Sequence, residues 1–173
     1  MFTPVTRLVL VLFCFISAGF LLYRSSDGWI IFFVAGIILI YEHFRGGSIW
    51  AAFQAYRKNN LHRVRKILDG INNPERLKPS AKAYYHFLRG VIFASDDDFN
   101  EAQEQFLLAA EGPLRTDNMK CAVFVNLSSV SLELGHFDEA KEYFEQANAT
   151  PHRPEMNQVL EDLGKKIKKE SLR

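Results

Sequence analysis

The chain is predicted to be all-α: an N-terminal transmembrane helical hairpin, then a short α-solenoid of about three helix pairs with a C-terminal capping helix. Three observations predict it. Two apolar, almost uncharged segments fill most of the first 45 residues. Beyond them, apolar positions fall at helical spacing between recurrent breakers, and no segment alternates convincingly as a strand. Small and large residues then return at a constant offset of 38.

The first apolar segment, Leu8 to Tyr23, carries no charge, and the second runs from Gly28 to Tyr41 after the polar break Arg24-Ser-Ser-Asp27. A membrane span needs about 20 residues to cross roughly 30 Å of hydrocarbon, so each is short by itself. Pro4, Val5, Trp29, Phe44 and the aliphatic stems of Arg7 and Arg45 can lengthen them. Tyr23, Trp29 and Tyr41 stand near segment ends, where interfacial aromatics are expected. A helical hairpin over residues 1–45 follows, because a helix satisfies its own backbone in lipid. Two other readings stand beside it. Arg7 with Ser17-Ala18-Gly19 could form a cleaved leader, and both segments could be core helices of a soluble protein. Their lack of a polar stripe weighs against the second.

The bases set the orientation. Arg45, Arg57, Lys58, Arg63, Arg65 and Lys66 follow the second segment, with no acid between residues 43 and 68. A Lys/Arg excess marks the cytoplasmic side. The expectation is a multi-pass protein of the inner (plasma) membrane, with both termini and a domain over 46–173 in the cytoplasm. The same basic residues, Arg57, Lys58, Arg63, Arg65 and Lys66, could also bind anionic headgroups at about 1 kcal/mol per base. As a topological signal they need no further role.

In the second part, Gly46-Gly47 should end the apolar helix and Ser48 cap a new one. Seven helices are predicted, near 48–58, 61–71, 80–95, 99–111, 117–134, 137–148 and 154–171. Phe99, Ala102, Phe106 and Ala109 are matched by Phe137, Ala140, Phe144 and Ala147, and by the degenerate set Leu61, Val64, Leu68 and Ile71. Ala52, Gly90 and Ser128 each stand twelve residues before the central Val or Ala. Small residues let helices approach, aromatics fill the space between units, and such units must stack to bury their faces.

On these residues the chain resembles the tetratricopeptide repeat family. The last copy carries the resemblance best, with Asn126-Leu127, Gly135-His-Phe-Asp-Glu-Ala140, Tyr143-Phe144 and Ala147. The middle copy follows it through Asp98-Phe-Asn-Glu-Ala102 but has His86 and Arg89 where large apolar residues are usual. The resemblance implies a fold of paired helices over about 48–150 and a groove lined by the first helix of each pair. By that analogy Phe53, Tyr56, Arg57, Tyr84, Phe87, Val91, Val125 and Ser129 face a protein partner. Ile49, Phe87 and Val125 stand where relatives that clamp acidic chaperone tails carry Lys, Asn and Arg, so an apolar or helical segment suits the groove better. Alternatively the groove is filled by its own residues or by the capping helix.

Other chemistry is sparse. Bases number 21 and acids 20, which gives no nucleic-acid signature. Cys14 and Cys121 form no framework, and there is no CxxC or Cys/His cluster for zinc. Asp96-Asp97-Asp98 lacks the ligand alternation and Gly turn of a calcium loop. The five histidines are scattered, with no phosphate loop and no HExxH. No metal, cofactor or enzymatic activity is expected. The predicted role is a membrane-tethered adaptor or scaffold that binds protein partners, with homo-oligomerisation possible. The alternative is an accessory subunit that contacts an integral membrane complex through the hairpin.

Overall fold

The computed structural model describes the backbone of residues 4–24 and 28–170, and the side chains of 9–24, 28–38 and 48–170. Among the described residues the secondary structure is helical, without strands. The chain forms two compact units, Met1–Ala51 and Ala52–Arg173.

The first unit holds α1 (Pro4–Tyr23) and most of α2 (Trp29–Arg57). Phe15 meets Phe33 edge-on at 5.8 Å. One turn along α2, Gly36 admits the Phe15 ring so closely that a Cβ there would lie 3.1 Å from it. Through Phe15, α1 thus touches the first half of α2. Outside these contacts the apolar side chains stay open: Leu12, Phe13, Phe20 and Ile38 are exposed, Ile16 by 71% and Ile31 by 73%. Among the described residues no helix is long and apolar enough to cross a membrane. The described side chains of the two apolar stretches cover only 9–24 and 28–38. The polar break at 25–27 and the side chains of Arg7, Tyr41, Phe44 and Arg45 lie outside the described residues.

One expectation is corrected in α2. Gly46-Gly47 does not end a helix and Ser48 does not start one, because α2 runs unbroken to Arg57. Each helical Gly costs only about 1 kcal/mol, and no Pro interrupts the segment, so nothing forces a break.

In the second unit the end of α2 is followed by α3 (Leu61–Asp69), a 3₁₀ turn at Pro74–Arg76, α4 (Pro79–Ser95), α5 (Phe99–Glu111), α6 (Asp117–Glu133), α7 (Phe137–Ala149) and α8 (Glu155–Glu170). From α3 onward each helix packs on the next, and α8 also reaches α6. The period of 38 is visible in burial. Val64, Leu68, Ala102, Phe106, Ala109, Ala140 and Ala147 are all inaccessible or nearly so, as are Ala52 and Ser128. Gly90 receives the flat of Phe106, and a Cβ at 90 would lie 2.7 Å from the ring. Its counterpart Ser128 instead donates its hydroxyl to the Ala140 carbonyl at 2.6 Å. The half-buried Phe99 and the 44% exposed Phe137 open their helices without entering the core, contrary to the expected packing face.

The same period governs the backbone. Asn59 (φ 55°), Asp97 (φ 60°) and Gly135 (φ 77°) are 38 residues apart and all left-handed. Around them Asn60, Asp98 and His136 donate their amides to the carbonyls of Ala55, Phe93 and Ser131 at 2.8–3.0 Å. Asn59, Asp97 and Gly135 donate to Tyr56, Ala94 and Leu132. This double bond pattern is the Schellman motif, which satisfies the last carbonyls of a helix and reverses the chain. Each pair thus turns at the same register.

Candidate functional site

The predicted groove residues come from α2, α4 and α6. Phe53, Tyr56 and Arg57 lie at i, i+3 and i+4 of α2, and Tyr84, Phe87 and Val91 at i, i+3 and i+7 of α4, so each set shares one helix face. The structure joins the two stripes ring to ring. Phe53 meets Tyr84 edge-on at 5.3 Å, and Tyr56 meets Phe87 edge-on at 5.5 Å. Phe87 continues inward to Phe106 at 5.9 Å. Edge-to-face pairs of this kind contribute about 0.5–1.5 kcal/mol beyond burial.

Burial sorts these residues into floor and lining. Phe87 is wholly inaccessible and belongs to the core, so it cannot touch a partner. Phe53, Tyr56, Tyr84, Val91 and Ser129 are half-buried, and Arg57 is exposed. Burial pushes the Tyr56 hydroxyl above its ordinary pKa. Burial also raises Tyr84, against an opposing pull from the Arg115 guanidinium nearby. Arg115 sits in the α5–α6 connection, just before the helix cap Thr116, and sequence reading did not connect it with Tyr84. No helical periodicity links a loop residue to a neighbouring helix, so only the fold shows the proximity.

Val125 is the second correction. It is 7% exposed and clusters with Cys121, Ala147, Leu160 and Leu163, flanked by Phe124, Phe144, Met156 and Ile167. The apolar face of α8 therefore covers the α6 end of the expected groove. What remains open is the aromatic face shared by α2 and α4.

The basic segment is divided. Arg57, Lys58, Arg63 and Lys66 are exposed, but Arg65 places one guanidinium nitrogen 2.7 Å from both carboxylate oxygens of Asp96. This hydrogen bond raises the Arg65 pKa further. Part of the acidic turn thus serves an ion pair between α3 and the end of α4. The polar departures in α4 have partners too. His86 Nδ1 lies 2.9 Å from Gln105 Oε1, and Arg89 lies 3.3 Å from Asp69 and 5.0 Å from the centre of the Phe93 ring.

Cys14 and Cys121 are both free thiols, and burial raises the pKa of Cys121. Among the described residues no group of three His, Cys, Asp or Glu side chains is placed to hold a metal.

Comparison with known proteins agrees with this geometry at one place. No curated protein and no solved structure matches the chain. The family model of the tetratricopeptide repeat matches residues 122–149, which span α6 from Ala122 and all of α7. The α6–α7 pair is thus a tetratricopeptide repeat.

Proposed function

We propose that the chain is a non-enzymatic, membrane-tethered adaptor, in which the α1–α2 unit sits in the bilayer and the helical repeats hold a protein segment on the cytoplasmic face. The repeat over 122–149 supports the protein-binding half, since tetratricopeptide repeats mediate protein–protein interactions. One observation carries the tether. The first unit leaves Leu12, Phe13, Ile16, Phe20, Ile31 and Ile38 exposed together, a surface that water disfavours and lipid accepts. The exposed bases Arg57, Lys58, Arg63 and Lys66 then favour a cytoplasmic second unit and can meet anionic headgroups. Tethering raises the partner's effective concentration without demanding a strong interface.

The binding face consists of Phe53, Tyr56, Tyr84 and Val91, with Phe87 as buried support. Crosslinking from native membranes, wild type against Tyr84→Ala/Val91→Ala, tests it. Selective loss of one partner from a folded, membrane-bound variant supports the adaptor. An unchanged partner set refutes the groove. A second reading, an accessory subunit that docks through α1 and α2, is favoured by the same exposed apolar surface. Replacing residues 1–45 with an unrelated hairpin separates the two: the adaptor keeps its partner, and the subunit loses its assembly.

A further inference from the structure

The apolar face shared by α2 and α4 ends in a base on either side. Phe53 and Tyr56 meet Tyr84 and Phe87 in that order, so the two helices run parallel across the face. Arg57 closes one end, on the same stripe as Phe53 and about 6 Å farther along α2. At the other end the α5–α6 connection is fixed against α4. Gly112 approaches Ala83 so closely that a Cβ on it would lie 2.5 Å from the Ala83 Cβ. Leu114 is 8% exposed, and the Thr116 hydroxyl accepts the Met119 amide at 3.2 Å. Between these anchors the exposed Arg115 stands beside Tyr84, the residue that follows Ala83.

No acid balances these two bases. Arg65 and Arg89 are engaged by Asp96 and Asp69, whereas among the described residues no carboxylate pairs with Arg57 or Arg115. Burial raises the Tyr56 hydroxyl without a charged neighbour, and burial raises Tyr84 against Arg115 alone. Tyr143 on α7 shows the contrast, since Glu139 and Glu142 act on it besides burial. The face is therefore positive and rich in donors: two guanidiniums, and two tyrosine hydroxyls with no hydrogen-bond partner among the described residues. A basic segment would be repelled there, and an uncharged one would gain nothing from either guanidinium. An extended chain also leaves its carbonyls open to the hydroxyls, while a helix engages its own.

We propose that this face holds an extended, acidic segment of a partner protein, in which an apolar side chain is flanked on each side by an Asp or Glu carboxylate. The apolar side chain rests among Phe53, Tyr84 and Val91, and the carboxylates accept from Arg57 and Arg115. The Tyr56 and Tyr84 hydroxyls donate to the backbone carbonyls of the segment. Such an occupant rests on the binding face of the adaptor reading and adds its charge. It does not use the clamp for acidic chaperone tails, whose positions hold Ile49, Phe87 and Val125, all buried and apolar.

The test is isothermal titration calorimetry on the full chain in dodecyl maltoside micelles, at neutral pH and physiological salt. The peptide acetyl-Gly-Glu-Gly-Leu-Leu-Gly-Glu-Gly-amide should bind saturably, about tenfold more tightly than the same peptide with Gln for both Glu. Arg57→Gln and Arg115→Gln, both at exposed positions, should each weaken the acidic peptide about threefold, and more at low salt. They should leave the Gln peptide unchanged. Tyr84→Ala/Val91→Ala, with its fold checked by circular dichroism, should weaken both peptides. Equal binding of the two peptides that this variant still weakens overturns the acidic occupant and keeps the groove. Binding of the acidic peptide that the variant does not alter overturns both. Absence of saturable binding by the acidic peptide overturns the proposal, and the crosslinking test of the groove is independent of it. A last arm uses phosphatidylglycerol vesicles. If Arg115→Gln lowers vesicle affinity and leaves peptide affinity unchanged, the guanidinium serves lipid headgroups and the proposal falls.

Discussion

Two glycines in the repeats are needed for different physical reasons, and substitution distinguishes them. At Gly90 the constraint is space, since the Phe106 ring fills the place of a Cβ at 2.7 Å. Gly90→Ala should destabilise by about 1–3 kcal/mol, the cost of overpacking a rigid core. At Gly135 there is open space but φ is 77°, so Gly135→Ala should cost about 1–2 kcal/mol through backbone strain alone. Asp97 holds the same left-handed place one repeat earlier, and Asp97→Gly should therefore raise the melting temperature. Thermal unfolding of the three variants checks the set. The tyrosines predict an alkaline limit as well. Burial raises Tyr56 and Tyr84 above the ordinary value of 10.0, so the folded state holds these protons more tightly than the unfolded chain. Their contribution is complete below pH 10 and is lost as pH rises through the folded-state values. Tyr56→Phe should flatten the fall in melting temperature above pH 10.

Among elements, α8 carries the clearest energetic consequence. Leu160 and Leu163 are both 4% exposed and close the cluster that contains Cys121 and Val125. Leu160→Ala or Leu163→Ala should destabilise by about 2–5 kcal/mol and speed labelling of the Cys121 thiol, measured by maleimide modification of native protein. The polar links between pairs are weaker and also follow the repeat. Arg65 and Gln103, 38 apart, each reach the next first helix or its cap, Arg65 at Asp96 and Gln103 at Ser131, 3.1 Å away. Both ends of the Arg65–Asp96 pair are nearly half exposed. Arg65→Ala should thus change the melting temperature slightly at low salt and not at all at high salt.

For the whole molecule, the exposed apolar side chains of the first unit make a direct prediction. The full chain should float with phospholipid vesicles on a density gradient, and Ile16→Asp/Phe20→Asp should shift it toward the unbound fraction. Sedimentation of both forms away from lipid would remove the tether from the proposed function. Within the second unit, stability should follow neighbouring interfaces, because from α3 onward each helix packs chiefly on the next. Hydrogen exchange should accordingly be slowest in α4 to α6, which have helices on both sides, and faster in α8.

Helix boundaries in the repeat region were legible in the chain to within one or two residues at most ends. Breakers and helical spacing are local signals, and the offset of 38 exposed the stacked pairs. Periodicity also named buried positions such as Val64, Ala102 and Ala140, but it placed Phe99 and Phe137 in a core that they do not enter. Tertiary structure alone decided the rest. It drove Phe87 inward onto Phe106 and covered Val125 with α8, so two expected groove residues became core. It carried α2 through Gly46-Gly47, where a propensity cost of about 1 kcal/mol per glycine does not stop a helix. It tied Arg65 to Asp96 and set His86 beside Gln105. A sequence records which face a residue occupies on its own helix. What covers that face depends on chain segments far away, and those contacts exist only after folding.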